Sequence, residues 1–177
     1  TFMHQQIAAN VSYFYYIEAY SNTIAGLSNS NIQEVVTTMP AVPLTMNANY
    51  GTVELYNQVN LSFTVDANAV VKNYILLKAN EKNGIYDSIA SFPQGSVTIE
   101  YSDFIKTNHE IAYYKVVAFN TCGLKSRETN IAHNILLEVF PDEPPLRTNR
   151  LNWNLYEGWD GNAVSYVVYR SIDNSPF

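Results

Sequence analysis

The side chains that most often bind metals or carry out catalysis are few in this chain and lie far apart. Its three histidines, His4, His109 and His133, have no second histidine or cysteine at the spacing of a metal site. The seven glycines occur singly, so the sequence has neither a glycine-rich phosphate loop nor a nucleophile elbow. We therefore expect no catalytic residue, no bound metal and no cofactor.

One group of oxygen-bearing side chains lies near the C-terminal end of the sequence. Glu157 and Asp160 lie next to Gly158 and Gly161, respectively, and with Asn162 could bind Ca²⁺. Calcium takes 6–8 oxygen ligands, so these three side chains fall short of a complete site. We interpret the stretch as a polar turn, with a Ca²⁺ site as the alternative. Cys122, the only cysteine, is interpreted as a small residue in a turn between strands, so no internal disulfide is expected.

The composition excludes several kinds of partner. A formal net charge of −6, with the 10 basic residues scattered, disfavours nucleic acid and anionic membranes, which both need clustered Lys and Arg. No apolar run approaches the ~18 residues of a membrane helix. Hydrophobic residues make up 47% of the chain and include 14 Tyr and 8 Phe, which favours a packed β structure. The sequence begins in what the pattern indicates is mid-domain, so we expect an excised part of a longer protein.

An internal repeat indicates how these residues are arranged. The stretches Asn10–Gly26 and His109–Gly123 are both rich in β-branched and aromatic residues and end in a polar turn. Each is therefore predicted to be a long strand that runs into a hairpin. In the alignment Tyr15 falls on Tyr114, Ile17 on Val116 and Ala19 on Ala118.

A second repeat divides the chain into modules. Leu151–Leu155 repeats Leu61–Val65, and Ser165–Arg170 repeats Asn73–Lys78. Proline-containing segments at residues 38–43 and 141–145 are predicted boundaries that bend little. We therefore predict the end of one module at residues 1–38, a complete module at 39–140 and the beginning of another at 141–177.

These repeated sequence segments resemble those of fibronectin type III domains. The resemblance is carried by Leu151–Trp153, by Tyr166–Arg170, and by an aromatic strand that ends in alanine before a glycine turn. It is closer still to the tandem repeats of large Bacteroidetes surface and secreted proteins associated with gliding motility and type IX secretion. Residues 153–159 (WNLYEGW) and 120–126 (NTCGLKS) carry this closer sequence resemblance. Asp87-Ser88-Ile89 matches the O-glycosylation acceptor pattern of such proteins.

The resemblance implies an all-β, immunoglobulin-like sandwich. Strands A, B and E would form one sheet and strands C, C′, F and G the other. Such domains usually place a corner tyrosine six residues before the alanine that ends strand F. Tyr13 meets this requirement in the first copy, whereas Ala112 stands at the position in the second. Either Tyr113 replaces it there, or the complete module lacks that hydrogen bond.

One face of the C–F sheet is the predicted site for a partner. If Tyr114, Val116 and Ala118 point into the core, an apolar stripe is left on the outer surface. Such a stripe suggests a covering neighbour module, a protein or a glycan. The alternative is a register shifted by one residue, which would bury the stripe. The stripe consists of Ile75, Leu77, Tyr113, Val117 and Phe119.

We expect the chain to form non-enzymatic spacer modules of an exported, cell-surface or secreted protein, with a contribution to adhesion. The alternatives are an accessory module of a secreted carbohydrate-active enzyme, and a glycan- or protein-binding module that uses the outer C–F face. The two incomplete modules are complementary, since one supplies strands F and G and the other strands A, B and C. We therefore expect a reciprocal homodimer through Val11–Thr37 and Leu146–Phe177.

Overall fold

The structure is a computed structural model that describes residues 1–173 except 6, 9, 24, 25, 40, 144–147, 160 and 162. Its described residues form strands and turns, with no helix among them. In this described part, no helix is long and apolar enough to span a membrane. The chain divides into two compact units, Thr1–Ala41 and Val42–Phe177. The division falls within the proline-containing segment at residues 38–43. The three-module division itself remains a prediction.

The N-terminal unit is an antiparallel hairpin with an interruption halfway along. Strand β1 (Ser12–Tyr15) pairs with β4 (Gln33–Val36), and β2 (Glu18–Tyr20) pairs with β3 (Leu27–Asn29). Two short paired segments in line take the place of the single long strand that the sequence predicts. This is the strand arrangement expected for strands F and G of a sandwich.

The second unit contains a complete β-sandwich. One sheet has the order β5-β6-β9, and the other the order β11-β10-β7-β8, with β12 also paired to β10. These orders correspond to A-B-E and G-F-C-C′, so the fold is an immunoglobulin-like, fibronectin type III-like sandwich. Its strands are β5 (Met46–Leu55), β6 (Gln58–Val65), β7 (Asn73–Ala79), β8 (Asp87–Phe92), β9 (Thr98–Phe104), β10 (Tyr113–Phe119), β11 (Lys125–Glu128) and β12 (Ala132–His133).

Alternate residues of the facing strands form the core of this sandwich. On β10 the side chains of Tyr114, Val116 and Ala118 are fully buried, as the predicted pleat requires. They pack in one cluster with residues from β6, β7 and β9. The other fully buried side chains that the alternation predicts are those of Leu61, Phe63, Tyr74, Leu76 and Ile99.

Val97 departs from this pattern. Its spacing from Ile99 predicts a core position, but its side chain is 61% exposed. The reason is that β9 begins at Thr98, so Val97 lies in the preceding turn and does not follow the pleat. Its carbonyl accepts a hydrogen bond from the Val65 amide, which closes the end of the sheet.

The two F–G hairpins share an interruption that is built in the same way. In the N-terminal unit the Ile17 amide donates to Ser30 Oγ, and the Ser30 amide donates to the Ile17 carbonyl. In the sandwich the Val116 amide donates to Thr129 Oγ1, and the Thr129 amide donates to the Val116 carbonyl. In both copies a side-chain hydroxyl, and not a backbone carbonyl of the opposite strand, thus accepts the hydrogen bond from the amide. The repeat read from the sequence therefore extends to the hydrogen bonding.

The same equivalence extends to the residues before the hairpins. His4 Nδ1 lies 2.7 Å from the hydroxyl of Tyr15, eleven residues later. In the sandwich the Tyr114 hydroxyl donates to Asp103 Oδ2, eleven residues earlier, at 2.8 Å. The segment before β1 thus contacts the hairpin through Tyr15, and the end of β9 contacts β10 through the equivalent residue, Tyr114.

The corner hydrogen bond is made differently in the two copies. Tyr13 makes it in the N-terminal unit, where its hydroxyl accepts from the Ala8 amide at 2.8 Å. In the sandwich the fully buried Asn134 ties down the same connection. Its amide oxygen accepts from the Ala112 amide, and its amide nitrogen donates to the Glu110 carbonyl. Tyr113 is therefore not needed for this role, and its ring packs against His133 instead.

The sequence predicts that Thr129–Phe140 closes the complete module, but the last part of that stretch pairs forwards along the chain. Strand β13 (Leu137–Pro141) forms an antiparallel hairpin with β14 (Asn149–Trp153). The pairing therefore crosses the boundary drawn between residues 140 and 141. The pair repeats the antiparallel arrangement of β5 and β6 in the sandwich.

Candidate functional site: the junction after the sandwich

The segment at residues 154–159, which follows β14, lies against the sandwich. Tyr156 is buried, and its hydroxyl accepts a hydrogen bond from the Gly51 amide in β5 at 3.0 Å. The indole Nε1 of Trp159 donates to the Asn49 carbonyl of the same strand at 2.5 Å. The segment thus bonds to the backbone of a strand about a hundred residues earlier in the chain.

A row of aromatic rings forms the apolar part of this junction. His133 is 4% exposed, and its ring centroid lies 5.5 Å from that of Tyr113 and 4.7 Å from that of Tyr156. The Tyr156 centroid in turn lies 4.6 Å from that of Trp159. Tilted ring pairs at such distances contribute about 0.5–1.5 kcal/mol each beyond the area they bury.

Polar groups of the sandwich satisfy the backbone of the docked segment. The Glu157 amide donates to His133 Nε2 at 3.2 Å, and the side chain of Asn130 donates to the Gly158 carbonyl. Asn154 bonds to the preceding connection, since its Oδ1 accepts from the Leu136 amide at 2.7 Å. Burial raises the pKa of the Tyr156 hydroxyl, which keeps this group in its protonated form.

The close approach of two backbones explains a glycine in the junction. A Cβ at Gly158 would lie 2.8 Å from the Ile131 carbonyl oxygen and 3.1 Å from the Tyr156 ring. A real Cβ is essentially never as close to another heavy atom as the 2.8 Å to the Ile131 oxygen, so a side chain there would push the segment away from the sandwich. Gly51, on the facing strand, is similarly tight, with the His133 carbonyl oxygen 3.0 Å from its Cβ position.

One ion pair joins the junction to the loop after β7. Lys82 Nζ pairs with the Glu157 carboxylate, and both side chains are about half exposed. The hydrogen bond from Lys82 lowers the pKa of Glu157, and the same bond raises the pKa of Lys82. Because solvent screens such a pair, it contributes little to stability.

An open cleft lies beside the junction. Tyr50 and Thr52 of β5 form one wall, and Trp159, Tyr166 and Val167 form much of the other. The cavity has a volume of about 470 Å³, and its surface is mainly apolar. Tyr50 and Trp159 each expose more than a third of their surface to solvent.

The outer face of the C–F sheet is less open than the sequence predicts. Val117 is 2% exposed, and the rest of the predicted stripe is half-buried. The predicted pleat is nevertheless correct, because Val117 lies opposite Ile75 while Val116 points into the core. Lys115 crosses the middle of this face, where its Nζ lies 4.4 Å from the Tyr86 ring centroid. The half-buried members are Ile75, Leu77, Tyr113 and Phe119.

The other chemically interesting residues do not come together. Among the described residues no three His, Cys, Asp or Glu side chains could hold a metal ion. Asp160 and Asn162, two of the three possible Ca²⁺ ligands, lie outside the described residues. Cys122 is exposed and unpaired by a disulfide, and Ser88 is exposed on β8.

Sequence reasoning missed the junction, because His133 was interpreted only as a histidine without metal partners. The available signal was the sequence Tyr156-Glu157-Gly158-Trp159, in which two large aromatic residues lie on either side of Glu157 and Gly158. A glycine in such a place can mark a close approach of another backbone. It does not indicate which backbone, and here that partner is distant in sequence.

Comparisons with solved structures return chains of low sequence identity and low TM-score. A fibronectin type III-like protein from Clostridium thermocellum is 22% identical over 54% of this chain and 91% of its own, with a TM-score of 0.38. A β-1,2-glucanase from Parabacteroides distasonis is 18% identical over 60% of this chain and 15% of its own, with a TM-score of 0.37. No family model and no curated protein sequence matches the chain. The fold assignment rests on the strand order described above.

Proposed function

We propose that this chain forms non-catalytic spacer modules of a cell-surface or secreted protein, in which consecutive sandwiches are held at fixed angles. The observation that supports this proposal is the docked junction. Residues 154–159 are held by hydrogen bonds to β5 and to the end of β12, and Tyr156 is buried between them. A contribution to adhesion belongs to the same proposal, since a rigid spacer presents distal domains away from a surface.

The physical basis is the entropy of the connection. A flexible linker samples many lengths and directions, so an array joined by such linkers collapses on average. A connection whose amides and rings are bonded to the preceding sandwich has already lost that freedom during folding. Successive modules then extend with little further entropic cost, which suits a stalk.

The test measures the width of a distance distribution across the junction. Spin labels at Gln94 and Val139, two exposed positions, would be placed on the sandwich and on β13 in a Cys122→Ser background. We expect one narrow distribution for the parent protein. Gly158→Ala should broaden it, because the added Cβ cannot fit against Ile131. Val164→Ala, a change at a fully exposed side chain, is the matched control. A broad distribution in the parent would contradict the proposal.

The cleft beside the junction favours a second candidate function, the binding of a glycan. Aromatic side chains such as Tyr50 and Trp159 can stack on the flat faces of sugar rings, and Thr52 and Ser165 supply hydroxyl groups nearby. Binding to a glycan array by the parent, lost in Trp159→Ala and retained in Phe104→Ala, would support this function. No signal above background from the parent would exclude it for the glycans on the array.

A further inference from the structure

Among the described residues, an apolar face on the C-terminal side of the second unit is left partly exposed. It is formed by Trp153 of β14 and by Tyr166 and Val168, which follow the junction. The ring centroids of Trp153 and Tyr166 lie 5.7 Å apart, and the Tyr166 hydroxyl accepts from the Tyr156 amide. Val168 is 55% exposed. The side chains at the equivalent positions of the sandwich are fully buried: Phe63, Tyr74 and Leu76.

The sandwich shows what covers such a face. Strand β10 lies antiparallel to β7 along its whole length, with Val116 opposite Leu76 and Ala118 opposite Tyr74. The side chains of β10 close the core over β6 and β7. The face consists of β14, which repeats β6, and of residues 165–170, which repeat the sequence of β7 but form no strand here, so a copy of β10 would complete it.

The chain contains one such copy, in its N-terminal unit. The β1–β4 hairpin repeats the β10 hairpin in its pairing and in the hydroxyl-bridged interruption at Ile17 and Ser30. Its inward positions lack the cover that they have in the sandwich, since Ile17 is 73% exposed where Val116 is fully buried. Tyr13 and Tyr15 are half-buried, against the segment that contains His4.

We propose that the N-terminal hairpin of one copy of this chain completes the open C-terminal face of a second copy, and that the exchange is reciprocal. The strand register follows from the sandwich. Ile17 would lie opposite Val168, because the equivalent residues Val116 and Leu76 are paired in the sandwich. Ala19 would lie opposite Tyr166, as the equivalent pair Ala118 and Tyr74 indicates. A two-fold axis relates the two contacts, so the assembly closes as a dimer.

Charge supports this occupant. The N-terminal unit carries two acidic side chains, Glu18 and Glu34, and no Lys or Arg. The open face carries Arg170, which the register places opposite Tyr15. In the sandwich the equivalent Lys78 lies 6.0 Å from the ring centroid of Tyr114, a cation–π contact. Arg170 therefore has a matching aromatic ring in the proposed partner.

The test is a cross-link between two different chains. In the sandwich Lys115 lies opposite Leu77 on the outer surface, so Tyr16 and Tyr169 are the equivalent pair. Directly opposite residues of antiparallel strands lie about 4.5–5.5 Å apart at their Cα atoms, within reach of a disulfide. Tyr16→Cys and Tyr169→Cys would be made in separate chains, both with Cys122→Ser. Both tyrosines are exposed, so neither change should disturb folding.

We expect the mixture of these two variants to form a heterodimeric disulfide on mild oxidation. Tyr16→Cys mixed with Val168→Cys is the matched control, because residue 168 points to the opposite face and should cross-link at least tenfold more slowly. Light scattering on the parent should show a dimer at micromolar concentration. In a Cys122→Ser background, Val168→Asp should convert the dimer to a monomer. The melting temperature of the sandwich should stay unchanged.

Three results would overturn the proposal. The first is a monomeric parent at micromolar concentration. The second is equal cross-linking by the in-register and off-register mixtures, which would indicate random collision. The third is a disulfide that forms within a monomeric chain carrying both Tyr16→Cys and Tyr169→Cys while the mixture gives none, since the chain would then close on itself.

Discussion

Phe63 lies at the centre of the sandwich core, where its side chain is fully buried among residues of β6, β7 and β10. Removing the ring leaves a cavity that the surrounding strands can fill only in part. We expect Phe63→Ala to lower the free energy of unfolding by about 3–5 kcal/mol. Chemical denaturation measures this loss, with Phe104→Ala, at an exposed ring, as the control. Equal stability of the two variants would show that the core is not where the structure has it.

Asp66 makes the stability of the sandwich depend on pH. Its carboxylate accepts hydrogen bonds from the Leu44 amide at 2.8 Å and the Asn68 amide at 3.0 Å. These bonds lower the pKa of Asp66 in the folded protein, and the bond from Leu44 has the largest effect. Since the folded-state pKa lies below the unfolded value, the carboxylate stabilises the fold above the unfolded pKa. That stabilisation is lost as the pH falls through the folded-state pKa.

We therefore expect Asp66→Ala to lower the melting temperature at pH 7, and the difference from the parent to shrink below about pH 4, near the ordinary pKa of an aspartate. Melting curves from pH 2 to pH 8 measure this dependence. Asp87→Ala, a change at an exposed carboxylate, is the matched control. A difference that stayed constant across the whole range would mean that the Asp66 charge is not involved.

At the scale of the strand, the break between β11 and β12, the two segments paired with β10, depends on one hydroxyl. Thr129 is buried, and its Oγ1 accepts from the Val116 amide and donates to the Asn130 carbonyl. Thr129→Val keeps the shape but leaves the amide without its acceptor, which costs about 1–3 kcal/mol for a buried group. Thr129→Ser keeps the hydroxyl and loses only a methyl group. We expect the valine variant to unfold at a clearly lower denaturant concentration than the serine variant, and the reverse order would contradict this account.

For the whole molecule we expect stability to be independent of metal ions. The sequence offers no complete set of ligands, and Glu157, the described member of the possible Ca²⁺ group, is paired with Lys82. Melting curves with a chelator and with added CaCl₂ should therefore coincide. A higher melting temperature in CaCl₂ that is lost in Glu157→Gln would establish a calcium site in that turn.

The inward faces could be predicted from local patterns, because the pleat alternates side chains with a period of two, whereas the strand order was implied by the resemblance to fibronectin type III domains. Tyr114, Val116 and Ala118 show this for β10. Where a strand begins was less predictable, since Val97 has the right spacing but precedes β9. Start points depend on which backbone groups find partners across the sheet, and a local pattern carries no information about them.

The sequence by itself determined the sandwich and the internal repeat, since both follow from periodicity and from similarity between stretches of one chain. Only the tertiary structure decided that Asn134 would tie down the corner where Ala112 stands, and that Tyr156 would bond to Gly51. The physical reason is separation along the chain. Tyr156 and Gly51 are 105 residues apart, and a hydrogen bond across that distance depends on how two folded surfaces meet.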